Sequence, residues 1–346
     1  MIQAPAADPE TQLWRAVSNR QLQLILLPTE ACNFRCVYCY ETFAQGKMPR
    51  EVVVAVKRYL TRRFQELQSL QLSWFGGEPL LALDVIEEIC THIAELRLSH
   101  PQCDFSSDMT TNASLLTPSI FERLCALGVN TYQISFDGAR DEHDKRRIQA
   151  NGGPTFDRIW GHLLAMRQSK RGFKAIVRLH LDAENVRSVE RFIADFRHEF
   201  SSDSRFTLFI RPVSKLGGPN DTWLPVLDHD KALEIAHQLS LDCEKIGVPS
   251  RTMAKASKAP ICYASQLNSW VVRSDGRLGK CTVALDSPAN DVGHLLPDGS
   301  FAIDAERIKP WIRGLGSRNA KELGCPMQNF PSLVKPAAGT VQATRA

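Results

Sequence analysis

No stretch of the 346-residue sequence stays apolar for the roughly 20 residues that cross a bilayer, so no membrane-spanning helix is expected. The opening residues, MIQAPAADPE, lack the basic stretch and apolar core of a secretion signal. Charge of one sign is missing too: 42 Lys and Arg against 38 Asp and Glu leave a net +4, too balanced to argue for a nucleic-acid partner. There is no internal repeat, and 43% hydrophobic with 23% charged residues excludes a disordered, collagen-like or coiled-coil chain. What remains is a globular protein of one large or two smaller domains, with length enough for a real core.

Cysteine, by contrast, is plentiful. Ten stand at positions 32, 36, 39, 90, 103, 125, 243, 262, 281 and 325. Without a secretion signal the expected location is the cytoplasm, where thiols stay reduced, so a disulfide framework is not expected and clustered cysteines point to metal or redox chemistry. Strand-like runs at Gln21–Leu27, Leu70–Phe75, Asp104–Thr110, Thr131–Phe136, Ala175–Leu181 and Phe206–Arg211 alternate with helical stretches near 50–67, 81–98, 117–127, 155–169, 185–199 and 228–246. Six strands alternating with helices read as consecutive βα units on a parallel sheet, either doubly wound or curled into part of a barrel. After Pro249 the rhythm changes: Ser269–Arg273 and Leu278–Thr282 flank Ser274-Asp275-Gly276 as a small hairpin, with helical potential near 305–316. The expected organisation is a loose segment at 1–20, a main α/β domain at 21–248, a small α+β module at 249–330 and a disordered Pro/Ala/Thr-rich tail at 331–346.

The central motif is Cys32-Asn-Phe-Arg-Cys36-Val-Tyr-Cys39, directly after the first strand. Three thiolates on one short loop suit three corners of a cuboidal iron–sulfur cluster and leave the fourth iron open. A zinc site needs four ligands, and no fourth Cys or His stands nearby. Some 40 residues on come Gly76-Gly77-Glu78-Pro79, then Thr110-Thr111-Asn112 and Ser135-Phe136-Asp137-Gly138 at the ends of the third and fourth strands. Alone, Gly-Gly-Glu-Pro reads as an ordinary turn.

Together these motifs resemble the radical S-adenosylmethionine (SAM) enzymes. The resemblance covers about residues 21–330 and implies a partial (β/α)6, TIM-like barrel with a small C-terminal α+β iron–sulfur module. It implies a 4Fe-4S cluster on Cys32, Cys36 and Cys39 whose open iron chelates SAM. Tyr38 then lies by the adenine, Gly76, Gly77 and Glu78 meet the SAM ammonium, and Asn112, Ser135 and Asp137 meet its ribose and carboxylate. Arg178 matches a basic position that meets the SAM carboxylate, with a barrel salt bridge as the alternative. The run Asp137-Gly138…His143-Asp144…Arg147, followed by Asn151-Gly152-Gly153-Pro-Thr-Phe156-Asp157, resembles the peptide-modifying branch, while also fitting a charged solvated loop.

Cys262, Gly276 and Cys281 fit the opening of the cysteine-rich module called SPASM, or its shorter form, twitch. The only later cysteine is Cys325, so one auxiliary Fe–S cluster on Cys262, Cys281 and Cys325 is implied, its fourth iron open, bound by substrate, or held by a residue such as His294 or Asp291. Cys90 and Cys125 read as small core residues, Cys103 carries no signal, and Cys243 reads as packing, with a hydrogen-donor role as its alternative.

The activity implied is reductive cleavage of SAM to a 5′-deoxyadenosyl radical that abstracts hydrogen from a ribosomally made precursor peptide, followed by an oxidative C–C or C–heteroatom crosslink. An external electron donor such as flavodoxin or ferredoxin is implied. With only about 20 residues before the first strand, leader recognition is expected from a separate protein, from the barrel and C-terminal module, or not at all. A radical SAM peptide epimerase, a formylglycine-forming enzyme like the anaerobic sulfatase maturases, and a non-catalytic protein with structural metal sites are the competing readings. No residue is assigned as catalytic.

Overall fold

The computed structural model describes residues 8–252 and 261–330; the expected disordered tail lies outside them. In chain order the elements are α1 (Pro9–Val17), β1 (Gln21–Leu26), β2 (Phe34–Cys36), α2 (Arg50–Phe64), β3 (Ser69–Trp74), α3 (Leu83–Ser99), β4 (Asp104–Thr111) and α4 (Pro118–Ala126). There follow β5 (Val129–Phe136), α5 (Arg140–Arg146), β6 (Arg147–Gln149), α6 (Phe156–Gln168), β7 (Lys174–Leu181), α7 (Val186–Phe200), β8 (Phe206–Pro212) and α8 (His229–Lys245). The chain continues with β9 (Ser250–Arg251), β10 (Ser269–Val272), β11 (Arg277–Gly279), β12 (Gly293–Leu295), β13 (Phe301–Ile303), α9 (Ala305–Ser317) and α10 (Ala320–Gly324). The segment expected to be loose is helical over Pro9–Val17, because Asp8 accepts the Glu10 and Thr11 N–H groups and a proline opens the first turn.

One sheet of eleven strands runs β13-β12-β11-β10-β1-β3-β4-β5-β7-β8-β9. From β10 to β9 every pairing is parallel, and β10 to β13 are antiparallel. The six strands β1, β3, β4, β5, β7 and β8 carry the βα units read from the sequence. The sheet ends at β13 and β9 rather than closing on itself, so the barrel is partial. The C-terminal hairpin does not stand apart: β10 pairs in parallel with β1, Leu24 opposite Trp270.

Strand alternation sorts the side chains. Leu22, Leu24, Leu70, Leu72, Tyr132, Ile134, Val177, Leu179, Leu208 and Ile210 are buried on the helix-covered face. Burying each such side chain stabilises by about 1.5–3 kcal/mol. Phe136, Phe156, Trp160, Phe192 and Phe200 meet there mostly edge-to-face, Phe136 and Phe192 at a centroid distance of 4.9 Å. The positions between them, Gln71, Ser73, Asp108, Thr110, Gln133, Ser135, Arg178, His180 and Arg211, line the opposite face and one shared cleft.

Candidate active site

The cleft, about 550 Å³, lies over that polar face. Its wall holds Cys32, Cys36 and Cys39, together with Tyr38, Gly76, Gly77, Asn112, Ser135 and Arg178. Residues spread over nearly 150 positions of sequence thus meet in one place because they stand at the C-terminal ends of parallel strands.

Four separate contacts shape the cysteine loop. β2 pairs antiparallel with β6, setting Cys36 opposite Arg147, so the His-Asp…Arg run folds back on the loop. Gly76 and Gly77 seat it from the second side: a Cβ on Gly76 would lie 2.3 Å from the Thr29 carbonyl oxygen, and one on Gly77 2.4 Å from that of Ala31. The missing side chains therefore face the loop backbone as well as the cleft. From the third side, Arg273 grips Glu30 through Nε–Oε1 at 2.9 Å and Nη2–Oε2 at 2.5 Å, both residues under 5% exposed. Tyr40 donates to the Thr282 carbonyl at 3.3 Å and Thr42 to Asp286 at 3.0 Å. Gly218 also packs so closely that a Cβ there would lie 2.5 Å from the Cys39 carbonyl oxygen, and Asn220 donates to the Val37 carbonyl at 2.8 Å.

Two of the residues expected on the ligand, Glu78 and Asp137, are buried beside the cleft and do not line it. Glu78 is fully buried, accepting from Thr111 Oγ1 at 2.7 Å, the Leu80 N–H at 3.1 Å and the Asn112 N–H at 2.7 Å. Its carboxylate ties the Gly-Gly turn to the end of β4 and does not line the cleft. Asp137, 1% exposed, accepts from Tyr38 Oη at 2.8 Å and faces His180 Nδ1 at 3.0 Å, while Arg147 donates to Tyr38 Oη at 2.8 Å. Burial alone would raise Asp137, but the His180 hydrogen bond and the charges around it hold its carboxyl down at about 2. Burial pushes His180 down to about 4, so its neutral ring donates to an ionised Asp137. The network locks the Tyr38 ring against the cleft, and Asp137 Oδ2 is buried without a hydrogen-bond partner among the described residues.

Within the charged run two residues have structural partners, and His143 does not stand in a solvated loop. Asp144 accepts the Thr155 and Phe156 N–H groups at 2.8 Å each, capping α6, and His143 is wholly buried against Thr155 Oγ1 at 3.0 Å. Sequence reading passed over Asp108, His180 and Arg211 on the cleft face; period-two alternation along β4, β7 and β8 carried the signal.

The donor set fits a cuboidal cluster. The three cysteines are free, half-buried thiols on one cleft wall, and burial pushes Cys32 and Cys39 up to about 12 and raises Cys36. Thiolates in that setting need a strong positive partner, which iron supplies. Among the described residues no three His, Cys, Asp or Glu side chains converge on a single metal-ion position. A cuboidal cluster spreads its thiolates over three irons and does not require such convergence.

Cys262, Cys281 and Cys325 are half-buried outside the cleft. Burial raises Cys262, and the charges of Cys281 and Cys325 add to that rise. Cys281 is positioned by Asn290, whose Oδ1 accepts the Lys280 and Cys281 N–H groups at 2.8 and 3.0 Å. Asp291 lies 3.6 Å from Arg307, and His294 is exposed on β12. Cys90, Cys103, Cys125 and Cys243 are buried in the main apolar core, and Cys243 does not reach the cleft. No helix among the described residues is long and apolar enough to cross a membrane.

Comparison with known proteins agrees with this geometry. Residues 26–196 match the Radical SAM superfamily. The AdoMet-dependent heme synthase of Methanosarcina barkeri is 25% identical over 234 residues, 67% of this chain and 60% of that protein. The chain spans between 37% and 60% of the length of the first curated relatives it matches. Among solved structures, anSMEcpe with bound AdoMet and Kp18Cys peptide superposes with a TM-score of 0.65 at 20% identity, over 84% of both chains. Streptococcus suis SuiB bound to precursor peptide SuiA gives 0.63 at 14% identity, over 92% of this chain and 72% of that one. At such identities the likeness is one of fold. The chain therefore carries a radical SAM domain over residues 26–196.

Proposed function

We propose that this enzyme is a peptide maturase that uses SAM to install an oxidative crosslink in a ribosomally made precursor peptide. The observation that carries the reading is the cysteine loop opening onto one cleft with the Gly76-Gly77 turn, Asn112, Ser135 and Arg178. In this reading Cys32, Cys36 and Cys39 hold a 4Fe-4S cluster, and Cys262, Cys281 and Cys325 hold one auxiliary Fe–S cluster. The SAM-bound cluster, once reduced by a donor such as flavodoxin or ferredoxin, supplies a 5′-deoxyadenosyl radical able to take hydrogen from an unactivated C–H.

The chain's own residues bind and orient. Tyr38, fixed by Asp137 and Arg147, offers its ring to the adenine; the Gly76 and Gly77 backbone approaches the ammonium; Asn112 and Ser135 offer polar groups to the ribose. Arg178 offers its guanidinium to the carboxylate. Glu78 and Asp137 act through the residues they hold, a change from the direct contacts the motif implies. The fold shared with two proteins solved with peptides supports a peptide substrate. The 249–330 stretch serves as the auxiliary-cluster module, and a separate leader-binding protein and a cytoplasmic setting complete the proposal. Burial of Cys243 away from the cleft disfavours an epimerase that uses that thiol as hydrogen donor.

The test is anaerobic co-expression with a short peptide encoded nearby, in ordinary and in deuterated water. A loss of about two mass units per event with no deuterium at carbon supports crosslinking. An unchanged mass in ordinary water with a gain of about one unit in deuterated water means epimerisation. Absence of 5′-deoxyadenosine from cluster-loaded, reduced protein overturns the reading altogether.

A further inference from the structure

Two guanidinium groups face the cleft without a carboxylate. Arg178 and Arg211 stand on the inward face of the neighbouring strands β7 and β8. The register sets Arg178 beside Phe209 and His180 beside Arg211, making the two arginines diagonal neighbours. Arg178 Nε donates to Ser135 Oγ at 3.1 Å. Among the described residues neither arginine forms a salt bridge, and the leading electrostatic influences on both come from burial, tyrosines and other arginines. Burial lowers both, and the Arg211 charge lowers Arg178 further.

Two buried arginines elsewhere are paired closely with carboxylates, and the third, Arg147, donates to the Tyr38 hydroxyl. Arg146 lies against Asp182, with Glu184 at 3.4 Å and Glu142 at 3.6 Å, and Arg273 lies against Glu30 and Asp286. A half-buried like-charge pair is costly to leave open, and an anion seated over it removes that cost. The carboxylate assigned above to Arg178 satisfies one guanidinium. Arg211 lies a strand further from the cysteine loop, where Pro212, Val213, Ser214 and Leu216 continue the cleft wall beyond the Gly-Gly turn.

We propose that Arg211 is the specificity-determining residue for a carboxylate on the substrate, so that the peptide modified here carries an Asp or Glu side chain, or its own C-terminus, close to the residue attacked. The inference rests on the peptide reading above and narrows it. A guanidinium at a fixed place on β8 offers two parallel N–H groups in one plane, which a carboxylate matches and a carboxamide does not.

The test uses the chain reconstituted anaerobically with iron, sulfide and SAM, and a random short-peptide library made with free and with amidated C-termini. The wild type is expected to enrich an acidic residue at one position, or the free over the amidated terminus, by about tenfold, the ratio of a charge-paired to an unpaired contact. Arg211→Met loses the preference, Arg211→Lys keeps its sign but weakens it because the two-pronged match is lost, and Arg211→Glu turns it toward Lys and Arg. SAM affinity, read by equilibrium dialysis, stays within about threefold in all three, which also reports that they fold. Enriched peptides without an acidic or C-terminal preference overturn this inference and leave the peptide reading standing. Loss of SAM affinity in Arg211→Met with peptide selection intact overturns it as well, by assigning Arg211 to the cofactor. If the wild type enriches no peptide, the peptide reading itself fails and takes this inference with it.

Discussion

Replacing Arg273 with methionine tests how the last third of the chain supports the cysteine loop. In the native protein the guanidinium donates to both Glu30 oxygens, to the Leu285 carbonyl at 2.6 Å and to Asp286 at 3.2 Å. Methionine fills most of the volume and removes every one of those donors. Glu30, 3% exposed, is then left as a buried carboxylate without its cation. Nearby Glu41, pushed up to about 8 by burial and by Glu30 and Asp286, loses a cation that opposes that rise. Breaking a buried pair from one side costs about 3–5 kcal/mol, most of it the penalty of the orphaned charge. Replacing the second partner with an apolar residue of similar size removes that penalty, so Glu30→Leu in the Arg273→Met background is expected to recover most of the loss. The assay is anaerobic urea unfolding of wild type, both single variants and the double variant, read as a double-mutant cycle. A cost below about 1 kcal/mol for Arg273→Met, or a double variant no more stable than the single, would refute the reasoning.

Three further outcomes follow from the same geometry. His143 is held down to about 3 by burial, below its ordinary 6.5, so its unfolded form takes a proton first as pH falls and the folded state loses stability from about pH 6.5 downward. That loss reaches about 2 kcal/mol at pH 5, and His143→Gln should flatten the stability curve between pH 6.5 and 4; an unchanged slope counts against it. Removing the cap in Asp144→Ala should lower thermal stability by about 1 kcal/mol, with Asp144→Asn retaining most of it, since Asp144 accepts two N–H groups at the start of α6. Gly218→Ala drives a methyl toward the Cys39 carbonyl, 2.5 Å from the ideal Cβ, and should alter the electron paramagnetic resonance spectrum of the reduced cluster. An identical spectrum would show that the 217–220 turn does not shape the cluster's surroundings.

Much of the scaffold is legible in the residues. Alternating apolar runs place β1, β3, β4, β5, β7 and β8 within two residues of where they form, because each must bury one face under helices. The spacing of Cys32, Cys36 and Cys39 and the position of Gly76-Gly77 after β3 announce a site, since short-range chemistry needs its ligands on one loop and its close approach free of side chains. Helix α1 was missed because an Ala-Pro-rich beginning hides the Asp8 cap and the proline that follows it.

The sequence alone therefore determined which residue types gather at strand ends and what class of chemistry they suit. Only the tertiary structure decided the layer in which each one stands. Glu78 and Asp137 carry the motif's carboxylates, yet both are spent on neighbours, Glu78 through Thr111, Leu80 and Asn112 and Asp137 through one oxygen shared by Tyr38 and His180, since burying a polar group is costly unless it is hydrogen-bonded. The antiparallel match of β2 with β6 and the parallel seat of β10 beside β1 join residues more than 100 and more than 240 positions apart. No local pattern encodes such partners, because which edge pairs with which depends on the surface the whole chain buries. Arg178 and Arg211 stand diagonal to each other for the same reason: the register of β7 against β8 is set by the core beneath them, and the cleft inherits the two charges.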